Sequence, residues 1–332
     1  MTTLVTGAAG HLGLTLVQLL LERGETVRAL DLRPTEHLRS LPVEVIQADL
    51  TDASALSGAF DGVDRVFHTA ALISLEMDQW PQLEAINVEG VRQIVTQCRA
   101  HGVQRLVHFS SIEALNLEGD GTVTEDTPLV TAEFPIPYGR SKAMGQRVVL
   151  DAIDDGLDAV ICYPTGIFGP NDYAFRASNQ VLQRLRDGER MVMTDAGLDW
   201  VDVRDVATGA LAAADRAPAG ASYLLGGRYA TIEELQTIIG ELTGANLPGR
   251  RITMRQVEWL LPLVQLQARL TGKPPLITKA MLYPLKHGGH VSHDRASREL
   301  GYTPRPLQET IADTLAWFDE VGTGPPKPPT KA

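Results

Sequence analysis

Tyr138-Gly-Arg-Ser-Lys142 places a phenol and an ammonium four positions apart at the start of a helix-period segment. That spacing sets both side chains on one helical face, a turn apart. A phenol titrates at about pH 10, too high for an acid or base that must work near neutrality. Bringing it down to neutrality takes roughly 4 kcal/mol. One positive charge about 4 Å away, at an effective dielectric of about 20, supplies roughly that amount. Lys142 is thus a sufficient cause for a proton-transferring Tyr138, although the pair taken alone also fits a solvated helix face. Two hydroxyls, Ser110 and Ser111, close the strand-like run that begins at Arg105. They fall on the carboxyl edge of the strands, where open parallel sheets bind their ligands.

A second constellation suits phosphate. Thr6-Gly-Ala-Ala-Gly-His-Leu-Gly13 sets glycines at 7, 10 and 13 between a strand and a helix. Glycine permits the tight turn, a close backbone approach to a pyrophosphate, and close helix–strand packing. The amides of Gly10, His11, Leu12 and Gly13 then stand at a helix N-terminus, whose dipole favours anions. An ordinary βα turn would use similar residues. Asp31 decides for a dinucleotide: it ends the second strand 18 residues after Gly13, placed to accept hydrogen bonds from an adenosine ribose. Its charge favours NAD over NADP, while Arg33 keeps a 2′-phosphate within reach.

These residues need a frame. Short apolar runs at Thr3–Thr6, Thr26–Asp31, Val43–Ala48, Arg65–Thr69, Arg105–Ser110 and Ala159–Pro164 read as strands. Helix-period segments Leu12–Arg23, Ala53–Phe60, Leu83–Ala100 and Tyr138–Asp155 separate them. The alternation predicts an α/β fold with a Rossmann-type, doubly wound parallel sheet. Nearly all-apolar strands such as Leu-Val-His-Phe fit a sheet covered on both faces. Beyond Pro164 the regularity fails. We expect a nucleotide-binding portion over 1–165, with 199–228 returning to its sheet. A smaller, interleaved C-terminal substrate lobe takes 166–198 and 229–321. Residues 322–332, rich in Gly, Pro and Lys, read as a disordered tail.

The motifs together resemble the extended branch of the short-chain dehydrogenase/reductase superfamily, the NAD-dependent epimerase/dehydratase family. Thr-Gly-x-x-Gly-x-x-Gly opens such chains, and the three-and-three glycine spacing matches it. Further matches are Tyr163-Pro-Thr-Gly-Ile-Phe-Gly-Pro170, Trp200-Val-Asp-Val-Arg-Asp-Val-Ala207 and the Leu-Gly-Tyr-Thr-Pro turn ending at Pro304. The resemblance implies roles. Asp49 and Leu50 would hold the adenine, although Asp49 also reads as a helix cap ahead of Asp52. Thr69, Ala70 and Ala71 would line the cofactor groove, and Pro164 to Ile167 would lie beside the nicotinamide. Ser111, Tyr138 and Lys142 would form the catalytic trio, with Ser110 a neighbour. In it Ser111 would bind the substrate oxygen, Tyr138 would transfer the proton, and Lys142 would also hold the nicotinamide ribose. Asn87 would stabilise the site or a proton relay, or be a satisfied polar residue on a packed helix. A homodimer through Leu83–Ala100 and Tyr138–Asp155 is also implied.

Composition closes several alternatives. Lys and Arg number 30 against 41 Asp and Glu, a formal net charge of −11 with no basic stripe, which disfavours nucleic acid and anionic membranes. Two cysteines, Cys98 and Cys162, make neither a disulfide framework nor a metal site and fit a reducing cytoplasm. No apolar run approaches a membrane span. Sugar-nucleotide enzymes of the resembled family carry an Arg where this chain has Leu198, and Tyr-Gly after the catalytic Ser where it has Ala114-Leu-Asn116. Ser-Ser-Ile-Glu instead is similar to the 3β-hydroxysteroid dehydrogenase and dihydroflavonol-reductase-like groups. The substrate-side segments, with Ile73, Met77, Glu113 and Phe175 as candidate contacts, are rich in apolar residues. Glu113 also reads as a plain loop charge. We therefore expect NAD(P)-linked interconversion of a secondary alcohol and a ketone on a steroid-like, flavonoid-like or 3-oxo compound. A nucleotide-sugar epimerase or dehydratase is the second reading, and a non-catalytic dinucleotide sensor the third. The Trp259–Leu270 segment reads as core packing or as a lid, and a membrane-surface contact has no basic residues in its support.

Overall fold

The apolar runs of the first half lie side by side in the computed structural model, which describes residues 1–322 apart from 120, 175–176, 190–191, 194, 246–249 and 272–277. The chain runs β1 (Thr2–Thr6), α1 (His11–Glu22), β2 (Thr26–Asp31), α2 (Glu36–Ser40), β3 (Glu44–Gln47), α3 (Ala53–Ser57), β4 (Arg65–His68), α4 (Trp80–Glu84), α5 (Gly90–Ala100), β5 (Arg105–Phe109), α6 (Pro137–Asp154) and β6 (Ala159–Pro164). It continues with β7 (Gly166–Phe168), α7 (Ala177–Arg186), β8 (Val192–Met193), β9 (Gly197–Asp202), α8 (Val203–Arg216), β10 (Ser222–Leu225), β11 (Arg228–Thr231), α9 (Ile232–Thr243), β12 (Arg250–Arg251), α10 (Met254–Thr271), α11 (Lys279–His287), α12 (Asp294–Leu300) and α13 (Leu307–Val321).

Seven strands form one parallel sheet in the order β10-β6-β5-β4-β1-β2-β3. The order reverses beside β1, which makes the carboxyl edge there the binding crevice of a Rossmann-type sheet. Alternation along the strands divides the core. Leu4, Val66, Leu106 and Ile161 face α5 and α6. Val5, Phe67, Val107 and Val160 face α1 and α8. Covering both faces explains the nearly continuous apolar strands.

The returning segment needs correction. Of residues 199–228 only β10 joins the large sheet, while β9 pairs with β7 and β11 in a separate three-stranded sheet. Trp200 shows why. Its ring packs edge-on against Phe168 and its indole N–H donates to the Ala230 carbonyl, so β9 belongs to the lobe's own core with Leu235, Ile239 and Phe318. The expected Leu83–Ala100 helix starts earlier, at Trp80, and carries a π-helical turn at Ala85–Glu89 between α4 and α5. Such turns widen a helix by one residue and mark functional positions. Asn87 sits in this one.

The helices on the α5–α6 face meet at near-contact of backbones. A Cβ at Gly145 would collide with the Asn87 carbonyl. Gly145→Ala is therefore expected to cost about 2 kcal/mol by forcing α6 away from the π turn. Urea unfolding with an unchanged midpoint would contradict this packing.

Candidate active site

The glycine loop is built for close approach. Gly7 has φ +70°, and a Cβ there would stand 2.7 Å from the Ala70 backbone. A Cβ at Gly13 would strike the Gly7 carbonyl. Thr69 Oγ1 donates to the Thr6 carbonyl at 2.7 Å, joining the groove residues after β4 to the loop. Gly10 is the N-cap of α1 and offers no side chain, so the helix's N-terminal amides are left to the crevice. The His11 ring turns away, with Nε2 2.8 Å from the Pro170 carbonyl, while Leu12 is half-buried. Asp31 stands at the tip of β2 with its carboxylate oriented by two amides, Ala9 N at 2.9 Å and Arg33 N at 2.8 Å. These residues fit a dinucleotide: bare amides for the pyrophosphate and a fixed acceptor for a ribose.

Asp49 does not cap a helix. Its Oδ1 accepts from Thr51 N and Oγ1, and Asp52 is the cap of α3. Leu50 is buried against Gly90. Ala70 and Ala71 are half-buried at the crevice, Pro164 ends β6, and Ile167 lies in β7. Asn87 is saturated. Its Oδ1 accepts from Leu72 N at 2.8 Å, and its Nδ2 donates to the Leu72 carbonyl and to Ser141 Oγ, both at 2.9 Å. It thereby pins the Leu72 loop to α6.

Ser111, Tyr138 and Lys142 converge at the end of β5. The Ser111 hydroxyl accepts from Glu113 N at 3.1 Å and donates to the Tyr138 phenol. Ser110 points elsewhere, donating to Gln146 Oε1 at 2.6 Å. Lys142, only 5 % exposed, donates from Nζ to the Phe109 carbonyl at 2.7 Å. Burial brings its ammonium down to about 8. Here the electrostatics correct the expectation from spacing. Burial, not Lys142, dominates Tyr138 and raises its phenol, the Glu113 charge adds to the rise, and the Ser111 bond opposes it. Desolvation disfavours the charged form of both partners, so nearness alone does not lower the phenol.

Three neighbours were not legible as part of this site or were read too simply. Glu113 is not a plain solvated loop charge. It follows Ser111 in a short 3-10 turn, its carbonyl lies where a Cβ on Gly139 would come within 2.5 Å, and burial pushes its carboxyl up to about 7. His68 and His108 are register partners on β4 and β5, with rings stacked 5.5 Å apart. Burial, then the Lys142 charge, pushes His68 down to about 3 and His108 well below its ordinary value, so both are neutral. Thr6 Oγ1 stands 2.7 Å from His68 Nδ1. Two histidines ending adjacent strands were the available signal. Ile73 and Met77 are exposed. Phe175 lies outside the described residues.

Two measurements follow from this geometry. A carboxyl raised in the folded state costs nothing below its unfolded value of about 4.5; its cost grows as pH rises from there to about 7 and levels off above. Glu113→Gln is therefore expected to be more stable than the native chain, by a margin that widens about 2 kcal/mol between pH 5 and pH 8. A margin independent of pH would refute the burial. Asp31 predicts that NADH binds at least about tenfold tighter than NADPH in a fluorescence titration, since a 2′-phosphate would meet its charge. Equal affinities would remove Asp31 from the ribose position.

Comparison with known proteins agrees with the fold and the crevice. Residues 3–226 match the model of the NAD dependent epimerase/dehydratase family. Sterol demethylase protein B of Methylococcus capsulatus is 35 % identical over 97 % of this chain and 99 % of its own. The 3 beta-hydroxysteroid dehydrogenase/Delta 5→4-isomerase of Mycobacterium tuberculosis is 30 % identical over 95 % of this chain and 90 % of its own. Among solved structures, gox2253 superposes with a TM-score of 0.83 at 33 % identity, covering 97 % of this chain and 98 % of that one. The chain belongs to the NAD-dependent epimerase/dehydratase family, the extended branch of the short-chain dehydrogenases/reductases, and is an NAD-dependent enzyme of that family.

Proposed function

We propose that the protein interconverts a secondary alcohol and its ketone on an apolar, ring-bearing substrate. Leu198 carries this reading. It occupies, on β9, the position where the sugar-nucleotide enzymes of the family place an arginine for the diphosphate, and an aliphatic side chain gives a diphosphate nothing. Glu113 adds to it, since a carboxyl beside Tyr138 repels an anionic substrate above its titration point. Phe134 and Tyr283 meet edge-on near the same turn and supply flat apolar surface. Two relatives, a sterol demethylase protein and a 3β-hydroxysteroid dehydrogenase, point the same way.

In this reading the substrate oxygen lies between the Ser111 hydroxyl and the Tyr138 phenol. Ser111 accepts from Glu113 N, which fixes its hydroxyl, and its proton, directed at the Tyr138 phenol, is the one it offers to a substrate oxygen beside that phenol. Tyr138 gives the proton to a ketone oxygen or takes it from an alcohol. Lys142, anchored on the Phe109 carbonyl, orients toward the cofactor ribose and lends positive charge to the phenolate that forms. NAD, when bound, accepts or returns the hydride. A homodimer paired through α5 and α6 belongs to the same reading.

Tyr138→Phe should lower turnover by at least about a thousandfold while leaving NADH affinity within about twofold. Incubation with NAD and a panel of 3β-hydroxysteroids, aliphatic 3-oxo esters and nucleotide sugars separates the two enzyme classes. Stoichiometric change in nicotinamide absorbance with the first two supports the proposal. An isomerised sugar without net NADH would replace it with an epimerase.

A further inference from the structure

The segment 169–173, which follows β7, is rooted in the lobe at its base and reaches the cofactor-holding helices at its tip. Asn179 of α7, fully buried, fixes the base. Its side chain accepts from Gly169 N at 3.2 Å and donates to the Gly169 carbonyl at 2.8 Å and to Asp172 Oδ2 at 3.1 Å. Asp172 is fully buried as well. Gly169 at φ +128° and Asn171 at φ +70° shape the turn, and Asn171 is the one residue other than glycine with a positive φ among the described residues. On the far side the ties are few. His11 Nε2 donates to the Pro170 carbonyl at 2.8 Å, and Asn171 Nδ2 donates to Gln18 Oε1 at 3.2 Å. The Tyr173 ring stacks on His37, with centroids 4.3 Å and planes 21° apart, and meets Trp317 of α13 at right angles.

What the tip holds is the cofactor frame. His11 is the first residue of α1, whose N-terminal amides serve the pyrophosphate, and His37 lies in the first turn of α2, the helix that follows Asp31. One short segment therefore ties the lobe to both elements that suit the dinucleotide. All of these contacts join protein to protein, so none of them draws strength from the cofactor's own atoms. The tie is also lightly held on this side. Closing it leaves His37 Nε2 buried with no hydrogen-bond partner, a cost that opening removes. The base has a buried amide and a buried carboxylate locked together, so any opening breaks at the tip.

We propose that the segment 169–173 is a clasp that must release α1 and α2 before the dinucleotide enters or leaves, with His37 and Tyr173 as positioning residues that set the exchange rate. Opening and closing of such segments often paces a turnover that chemistry does not. The reaction proposed above releases its cofactor in every cycle, so the clasp sets the pace of that step. Exchange is measured without any substrate, so the clasp and that reaction stand or fall separately.

Stopped-flow fluorescence of the full-length protein with NADH tests it, by direct mixing for entry and by displacement with excess NAD for exit. Tyr173→Leu, which keeps an apolar side chain beside Trp317, should raise both rate constants about fivefold, the order of one lost ring stack. Because the clasp favours neither state of the cofactor, the dissociation constant should stay within about twofold. His37→Ala should do the same, and the double variant should add nothing to either single change. His37→Phe restores a ring to the stack and should return both rates to the native values. If Tyr173→Leu loses its native circular dichroism, His37→Ala and His37→Phe decide alone. Native rates in the single variants would overturn the proposal. So would faster exit with unchanged entry, since the pair would then belong to the binding site and not to a gate.

Discussion

The bond from Lys142 Nζ to the Phe109 carbonyl governs the sheet edge. An ammonium enclosed by protein is costly unless it is hydrogen-bonded, and this carbonyl is the terminal acceptor of β5. Satisfying it draws the first turns of α6 over the end of the strand. Tyr138 is then carried over Ser111, and Gln146, one turn beyond Lys142, reaches Ser110. The neutral His68–His108 pair lies under the same charge, held down by burial and by Lys142 itself. Asn87 completes the arrangement from the opposite helix by holding Ser141. Each group is thereby fixed by another, which is how a buried polar cluster keeps one geometry.

Much of this was legible because it is local. Glycines at 7, 10 and 13, the acid at 31 and the four-residue step from Tyr138 to Lys142 are spacings within one turn or one βα unit. The parallel sheet was legible for the same reason, since alternating runs leave few topologies. Other features depend on partners far along the chain. Nothing around Lys142 in sequence names Phe109 as its acceptor, 33 residues earlier. Glu113 reads as an ordinary charge until Gly139 is seen packed on its carbonyl. β9 reads as a returning sheet strand until Trp200 is placed against Phe168. Spacing predicted that Lys142 is near Tyr138, but the balance between its charge and desolvation depends on burial, which spacing does not contain.

The electrostatic design of the site also bears on stability. Burial disfavours the charged form of Tyr138, Lys142 and Glu113 alike. Lys142 and Glu113 therefore cost folding free energy at neutral pH, whereas the phenol is neutral there in either state, and the two large apolar clusters on the sheet faces offset that cost. A carboxyl near its midpoint at neutrality beside a raised phenol is an arrangement that function explains better than packing does, since a glutamine would fill the same space without penalty.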